Sequence, residues 1–134
     1  LLPAERSAIE ALDEEAPGGD LLLLLEREGW DSDAQIAGVL REPLLRLCAR
    51  YLVRERAPSG RALDPVAHFH LSNGARVERL NWLGDVSAKG LQQSAGIMVN
   101  YLYRLGEIEA NHESYRGEGR VVASSALRNL ARVG

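Results

Sequence analysis

The run from Asp64 to Leu105, DPVAHFHLSNGARVERLNWLGDVSAKGLQQSAGIMVNYLYRL, decides how this 134-residue chain is read. Residues 66–71 read as a strand of period two, with Val66, His68 and His70 on one face and Ala67, Phe69 and Leu71 on the other. Asn73-Gly74 follows, and both positions tolerate positive φ, a strong signal for a two-residue hairpin turn. A second strand is then expected from about Ala75 to Leu83, with His70 opposite Val77, His68 opposite Arg79 and Phe69 opposite Glu78. Val86–Gly96 reads as a loop punctuated by Gly90 and Gly96. It leads into a helix carrying Ile97, Met98, Tyr101, Leu102 and Leu105, which stops at Gly106. Glycines let backbone N–H groups approach an anion, and a helix start adds a favourable dipole. The expected arrangement therefore suits a phosphorylated ligand, with histidines beside it to move protons.

The flanks read as helical support. Ala4–Ala16 is rich in Ala, Glu and Leu behind Pro3, and Pro17-Gly18-Gly19 stops it. Asp20 can cap a short helix over Leu21–Glu28, closed by Gly29. A third helix opens at Asp31 or Ser32, and Pro43 is expected to break or kink it. From Pro43 to Arg54, the residues Leu44, Leu47, Cys48, Tyr51 and Leu52 form an apolar stripe. Arg46, Arg50 and Arg54 lie opposite and read as a solvated face, with a basic lip for phosphates as the alternative. Cys48 belongs to the stripe and so to the core rather than to nucleophilic chemistry. Arg56–Ala62 reads as a loop, Glu107–Gly119 as a polar connection that includes a solvated His112, and Arg120–Arg132 as a closing helix.

Composition narrows the function classes. A hydrophobic fraction of 46% with 26% charged residues is that of a globular domain with its own core. A net charge of -3 argues against a nucleic-acid partner. The leucines at 21–25 are too few to span a bilayer, so no membrane partner is expected. With one cysteine there is no intrachain disulfide, and with no Cys-x-x-Cys or His-Glu-x-x-His no metal site is expected. No Gly-x-Ser-x-Gly elbow marks a hydrolase. The chain opens on Leu1 directly in a helix, which reads as a piece of a longer polypeptide. An Ala/Arg/Leu-rich, bacterial-looking composition without a targeting signal points to the cytoplasm.

Several motifs together resemble the catalytic domain of the malonyl-CoA decarboxylase family. They are Leu63-Asp64-Pro65-Val66-Ala67, Phe69-His70-Leu71, Asn73-Gly74-Ala75, Asn81-Trp82, Asp85-Val86-Ser87, and Asn100-Tyr101 with Tyr103. Gly90, Ser94, Gly96, Met98 and the upstream run Glu42–Ala49 add to the likeness, which covers about Gly38–Tyr115. The resemblance implies an α+β fold of the acyl-CoA-binding, GCN5-related acetyltransferase-like type: helices before a β-hairpin and two helices after it. Residues 1–56 would be helical, 64–105 the hairpin-loop-helix core and 120–132 the closing helix. It implies cleavage of malonyl-CoA to acetyl-CoA and carbon dioxide with no cofactor beyond the CoA of the substrate. It also implies a homo-oligomer assembled through a helical domain preceding this chain.

The catalytic histidine of the family motif falls on His70, whereas His68 stands where relatives carry asparagine. By the same resemblance Lys89, Gly90, Ser94 and Gly96 would hold the CoA pyrophosphate, and Asn81, Ser87, Asn100 and Tyr103 would line the substrate pocket. The family also uses a serine in an upstream Ser-Pro-rich segment, which this chain lacks, so it reads as the C-terminal part of such an enzyme. The competing readings are a CoA-dependent N-acyltransferase and a non-catalytic helical interaction domain.

Overall fold

The computed structural model describes residues 2–12 and 21–132. In chain order the elements are α1 (Pro3–Leu12), α2 (Leu21–Leu25), a 3-10 turn (Trp30–Ser32), α3 (Ala34–Val53), α4 (Pro65–Ser72), β1 (Arg76–Asn81), α5 (Ala88–Ser94), β2 (Met98–Leu102), α6 (Ile108–Glu118) and α7 (Ser125–Arg132). The fold is α+β, with a two-stranded antiparallel sheet, β1-β2. Contacts divide the chain into two compact units, one from residues up to 45 together with 82–97, the other from 46–81 together with 98 onward.

The second unit has a continuous core. Ala49 and Leu52 of α3, Ala67 and Leu71 of α4, Val77 of β1, Tyr115 of α6, and Leu127 and Ala131 of α7 pack together with Ala62, Val121 and Ala123. Small residues at 49, 62, 67, 123 and 131 let the helices approach the sheet closely, so Tyr115 fits among them. In the first unit, Ile9, Leu24 and Leu40 are fully buried, and Trp30 meets Trp82 at a ring-centroid distance of 6.0 Å.

Residues 65–72 form a helix, α4, not a strand. The reason is local: the Asp64 carboxylate accepts a hydrogen bond from the Ala67 N–H at 2.8 Å, and Pro65 occupies the first turn where its missing donor costs nothing. Asn73-Gly74 ends this helix instead of turning a hairpin. Gly74 takes φ +87, and a Cβ there would lie 2.4 Å from the Ile108 carbonyl oxygen.

The second strand does form, as β1, but its partner is β2, with Val77 opposite Tyr101, Arg79 opposite Asn100 and Leu80 opposite Val99. None of the cross-strand pairs expected for His68, Phe69 and His70 exists. Residues 98–102, expected in a helix beginning near Ser94, are strand because one edge of β1 must be paired. The other edge of β1 is met by residues 122–124, through Val77 N–H to the Val122 carbonyl and Ser124 N–H to the Val77 carbonyl, both 2.9 Å.

Further differences follow from packing. Expected loops at 88–94 and 108–118 are helices α5 and α6, the latter burying Asn111 and Tyr115 one turn apart. α3 continues through Pro43, which is fully buried. The inner face of α3 is also rotated from the expected stripe: Leu44, Leu45, Ala49 and Leu52 are buried, while Leu47 and Tyr51 are exposed. Arg46 is buried rather than solvated, and Arg54 donates to the Ala131 carbonyl at 3.0 Å near the end of α7. α1 matches the first expected helix where it is described; that helix's Pro-Gly-Gly stop and the Asp20 cap lie outside the described residues. α2 is shorter than expected, and α7 stands within the closing helix read from the sequence.

Candidate functional site

α4 carries both histidines, and its geometry separates them. Two residues along a helix turn a side chain by roughly 200°, so His68 and His70 leave opposite sides where a strand would have put them together. His70 reaches Tyr103, with Nδ1 2.5 Å from the hydroxyl. Tyr101 stacks on its ring, with centroids 4.3 Å apart and planes at 17°, and Phe69 meets its edge at 5.2 Å. The imidazole is thus clamped on one face and by one nitrogen. Its Nε2 has no protein partner among the described residues.

A cavity of about 390 Å³ opens beside this ring, lined by His70, Glu78, Val99, Asn100, Tyr101, Leu102 and Tyr103. The β1-β2 sheet forms its wall. Tyr101 lies in β2 and Tyr103 one residue past its end, two positions apart, and both rings reach His70. Glu78 sits at a register irregularity between Val77 and Arg79, and its carboxylate pairs with Arg76 at 2.7 Å. Such a bulge re-aims a side chain that regular pairing would send elsewhere. Burial, and then Asp64 and Cys48, push the Tyr101 phenol well above its ordinary range, so it stays neutral. Asn100 also lines the cavity, and its side-chain oxygen accepts from the Asn81 amide at 2.9 Å.

The residues expected to cradle phosphates form an N-capped helix instead. The Ser87 hydroxyl accepts from the Gly90 N–H at 3.1 Å, and Asp85 accepts from the Ser87 N–H at 3.0 Å. Hydrogen bonding from the Ser87 side chain, then from its backbone N–H, holds the Asp85 carboxyl below the usual carboxylate range. Gly90 is required for packing, because a Cβ would fall 2.3 Å from the Asp85 carboxyl carbon. Ser94 Oγ donates to the Gly90 carbonyl, and the Gly96 N–H also goes to it, each at 3.1 Å. The donors of Gly90, Ser94 and Gly96 are therefore used within the segment. Lys89, exposed on α5, keeps its ammonium free of any partner among the described residues.

Cys48 is a core thiol, as its place in the sequence suggests: burial, then the nearby Asp64, raise it to about 11. His112, exposed, meets the Ser72 carbonyl at 2.5 Å. Among the described residues no three His, Cys, Asp or Glu side chains converge to hold a metal ion, and no helix is long and apolar enough to cross a membrane. The sequence places Tyr101 on the apolar side of an expected helix and gives no site role to Glu78 or Tyr115. The alternation Tyr101-x-Tyr103 was the available signal, since two aromatics at period two fit a strand.

Known proteins can be set beside this geometry. The model of the malonyl-CoA decarboxylase C-terminal domain matches residues 3–133. Mitochondrial malonyl-CoA decarboxylase from Anser anser anser is 41% identical over 124 residues, covering 92% of this chain and 24% of the relative. The Rattus norvegicus protein of the same name is 47% identical over 107 residues, covering 80% and 22%. The crystal structure of malonyl-CoA decarboxylase from Rhodopseudomonas palustris aligns at a TM-score of 0.81 and 47% identity, over 95% of this chain and 29% of that one. The Agrobacterium vitis structure aligns at 0.81 and 45%, over 95% and 32%. The chain spans about a quarter of the length of the animal relatives it matches.

Proposed function

This chain belongs to the malonyl-CoA decarboxylase family, and from that premise we propose that it supplies the proton-donating part of a site that cleaves malonyl-CoA to acetyl-CoA and carbon dioxide. The observation that carries the reading is His70, held through Nδ1 by Tyr103 and flat against Tyr101 beside a cavity of about 390 Å³. In the reaction, the bond between the carboxylate and the α-carbon breaks and its electron pair passes into the thioester as an enolate. Carbon dioxide leaves. The α-carbon then takes a proton from Nε2 of the His70 imidazolium, while Nδ1–H remains on the ring and donates to the Tyr103 oxygen. Water returns the proton to Nε2. A fixed donor aimed at the enolate oxygen is worth about 3–4 kcal/mol in comparable sites.

The wider reading keeps the acyl-CoA-binding, acetyltransferase-like fold as the setting, with malonyl-CoA as the partner molecule and no further cofactor. Within the predicted pyrophosphate segment Lys89 is the group left to meet a phosphate, since the glycine and serine donors are spent. Asn100 belongs to the substrate cavity with Asn81 positioning it, whereas Ser87 serves α5 as its cap. Assembly through a preceding helical domain and a cytoplasmic setting complete the proposal; the animal relatives are named as mitochondrial, and a mitochondrial setting is the alternative.

The test is His70→Asn in the full-length protein. Carbon dioxide release from malonyl-CoA is expected to fall by at least about a hundredfold, the usual weight of a general acid, with CoA affinity by calorimetry retained. Undiminished turnover would remove His70 from the mechanism. Consumption of acetyl-CoA by an amine acceptor, without carbon dioxide, would replace decarboxylation by acyl transfer.

A further inference from the structure

The second histidine of α4 has a cavity of its own. His68 lines a space of about 650 Å³ with Ser59, Gly60, Arg61, Tyr115, Arg116, Gly117, Glu118 and Gly119, and none of these residues takes part in the His70 site. His68 Nδ1 lies 2.7 Å from the hydroxyl of Tyr115, a side chain only 4% exposed. The same hydroxyl accepts the Ala62 N–H at 2.8 Å, so its one proton is available for Nδ1, and the neutral ring then carries its hydrogen on Nε2. Nε2 has no protein partner among the described residues. α4 therefore presents two His–Tyr pairs to two cavities, and one of them is without a task.

The frame around His68 is preformed. The turn bearing Arg61 is closed by Gly60 N–H to the Ala57 carbonyl at 2.8 Å and Ala57 N–H to the Arg61 carbonyl at 2.9 Å. It is tied to the end of α6 through the Tyr115 hydroxyl and through Arg56 Nε, which donates to the Gly119 carbonyl at 3.1 Å. Three arginines stand near this junction, and they divide cleanly. Arg56 spends its guanidinium on the carbonyls of Val53, Glu55 and Gly119. Arg61 and Arg116 are exposed on the cavity and have neither a hydrogen-bond nor an ion-pair partner among the described residues. The lining thus offers donors, two forked guanidiniums and an imidazole, together with acceptors, the Glu118 carboxylate and the carbonyl end of α6. Bare inorganic phosphate engages only the donors. A ligand that joins a phosphoryl group to hydroxyls or an amino group engages both.

We propose that the Arg61–His68–Arg116 cavity binds a nucleoside or sugar phosphate, its phosphoryl oxygens on the two guanidiniums and His68 Nε2 and its hydroxyl or amino donors on Glu118. The volume falls within the range of sites for small ligands. One source is the 3′-phosphorylated ribose of a CoA substrate, and another is a free nucleotide acting as an effector. The site stands independently of the role given to His70, and the source arm alone rests on that reading.

Calorimetry on the full-length protein with adenosine 3′,5′-bisphosphate tests it, alongside Arg61→Ala/Arg116→Ala. Both arginines are exposed and unpartnered, so the double variant is expected to keep its far-ultraviolet circular dichroism. Binding is expected in the wild type and is expected to weaken at least about tenfold in the variant, the loss of charge-assisted hydrogen bonds. Inorganic phosphate alone is expected to bind more weakly, and Glu118→Gln is expected to weaken the bisphosphate but not inorganic phosphate. If the source is the substrate, KM for malonyl-CoA rises in the arginine variant while KM for the 3′-dephospho substrate does not. If it is a free nucleotide, both KM values hold and bisphosphate binding is still lost. No binding by the wild type at millimolar bisphosphate, or equal binding by wild type and variant, overturns the proposal.

Discussion

Tyr101 lies nearly flat on His70, 4.3 Å between ring centroids, while Tyr103, one residue past the end of β2, takes the Nδ1 of that ring. One short segment thus sets both the plane of the imidazole and the nitrogen left for chemistry. The two contacts are separable by mutation. Tyr103→Phe keeps the ring and removes the hydroxyl, so kcat for carbon dioxide release is expected to drop about tenfold or more with KM little changed. Tyr101→Leu keeps bulk and removes the stacking face, and a smaller loss is expected. Equal kinetics for wild type and Tyr103→Phe would show that the hydroxyl has no part in orienting His70.

Tyr115 makes a structural prediction of the same kind. Its buried hydroxyl serves both Ala62 N–H and His68. Tyr115→Phe leaves the backbone donor unsatisfied and is expected to destabilise the fold by about 1–3 kcal/mol in urea unfolding. A midpoint indistinguishable from wild type would mean that water replaces the hydroxyl without cost.

Two glycines are expected to respond in opposite directions. Gly74→Ala forces a Cβ to 2.4 Å from the Ile108 carbonyl oxygen at φ +87, so a loss of about 3 kcal/mol or more is expected. Gly38 lies inside α3 with nothing within 4 Å of its would-be Cβ. Gly38→Ala is expected to raise stability by about 0.5–1 kcal/mol, because alanine is the better helix former. Thermal unfolding of the two variants reads both effects, and a shift of the same sign in each would contradict the packing described.

Cys48 gives a pH signature. Its thiol is raised from an ordinary 9.0 to about 11 by burial, then by Asp64. Unfolded chains lose this proton first, so stability is unaffected by Cys48 below about pH 9 and declines as pH rises from there toward about 11. Cys48→Ala is expected to flatten that decline. Iodoacetamide is expected to modify the native thiol slowly at pH 8; fast modification there would contradict its burial.

Much of the first unit's helical content, β1 and α7 were legible from periodicity and composition. Two of the differences, besides the helices at 88–94 and 108–118, fall at 65–72 and 98–102. Both are short, and an apolar pattern over five to eight residues fits either period. At 65–72 the deciding signal is local and present: Asp64-Pro65 is a helix cap followed by a first-turn proline, and it outweighs the period-two alternation. At 98–102 no local signal was sufficient, because what makes the segment a strand is the unpaired edge of β1, seventeen or more residues upstream.

The sequence by itself determined the family, through motifs that are read without any geometry. It also determined that Cys48 is a core residue. Only the tertiary structure decided that the two histidines part company. On a strand they would share one face and one ligand; on α4 they diverge, one to Tyr101 and Tyr103, the other to Tyr115. The physical reason is that helix and strand assign opposite directions to residues two apart. The choice between them rested on a cap at Asp64 and on which strand β1 could reach.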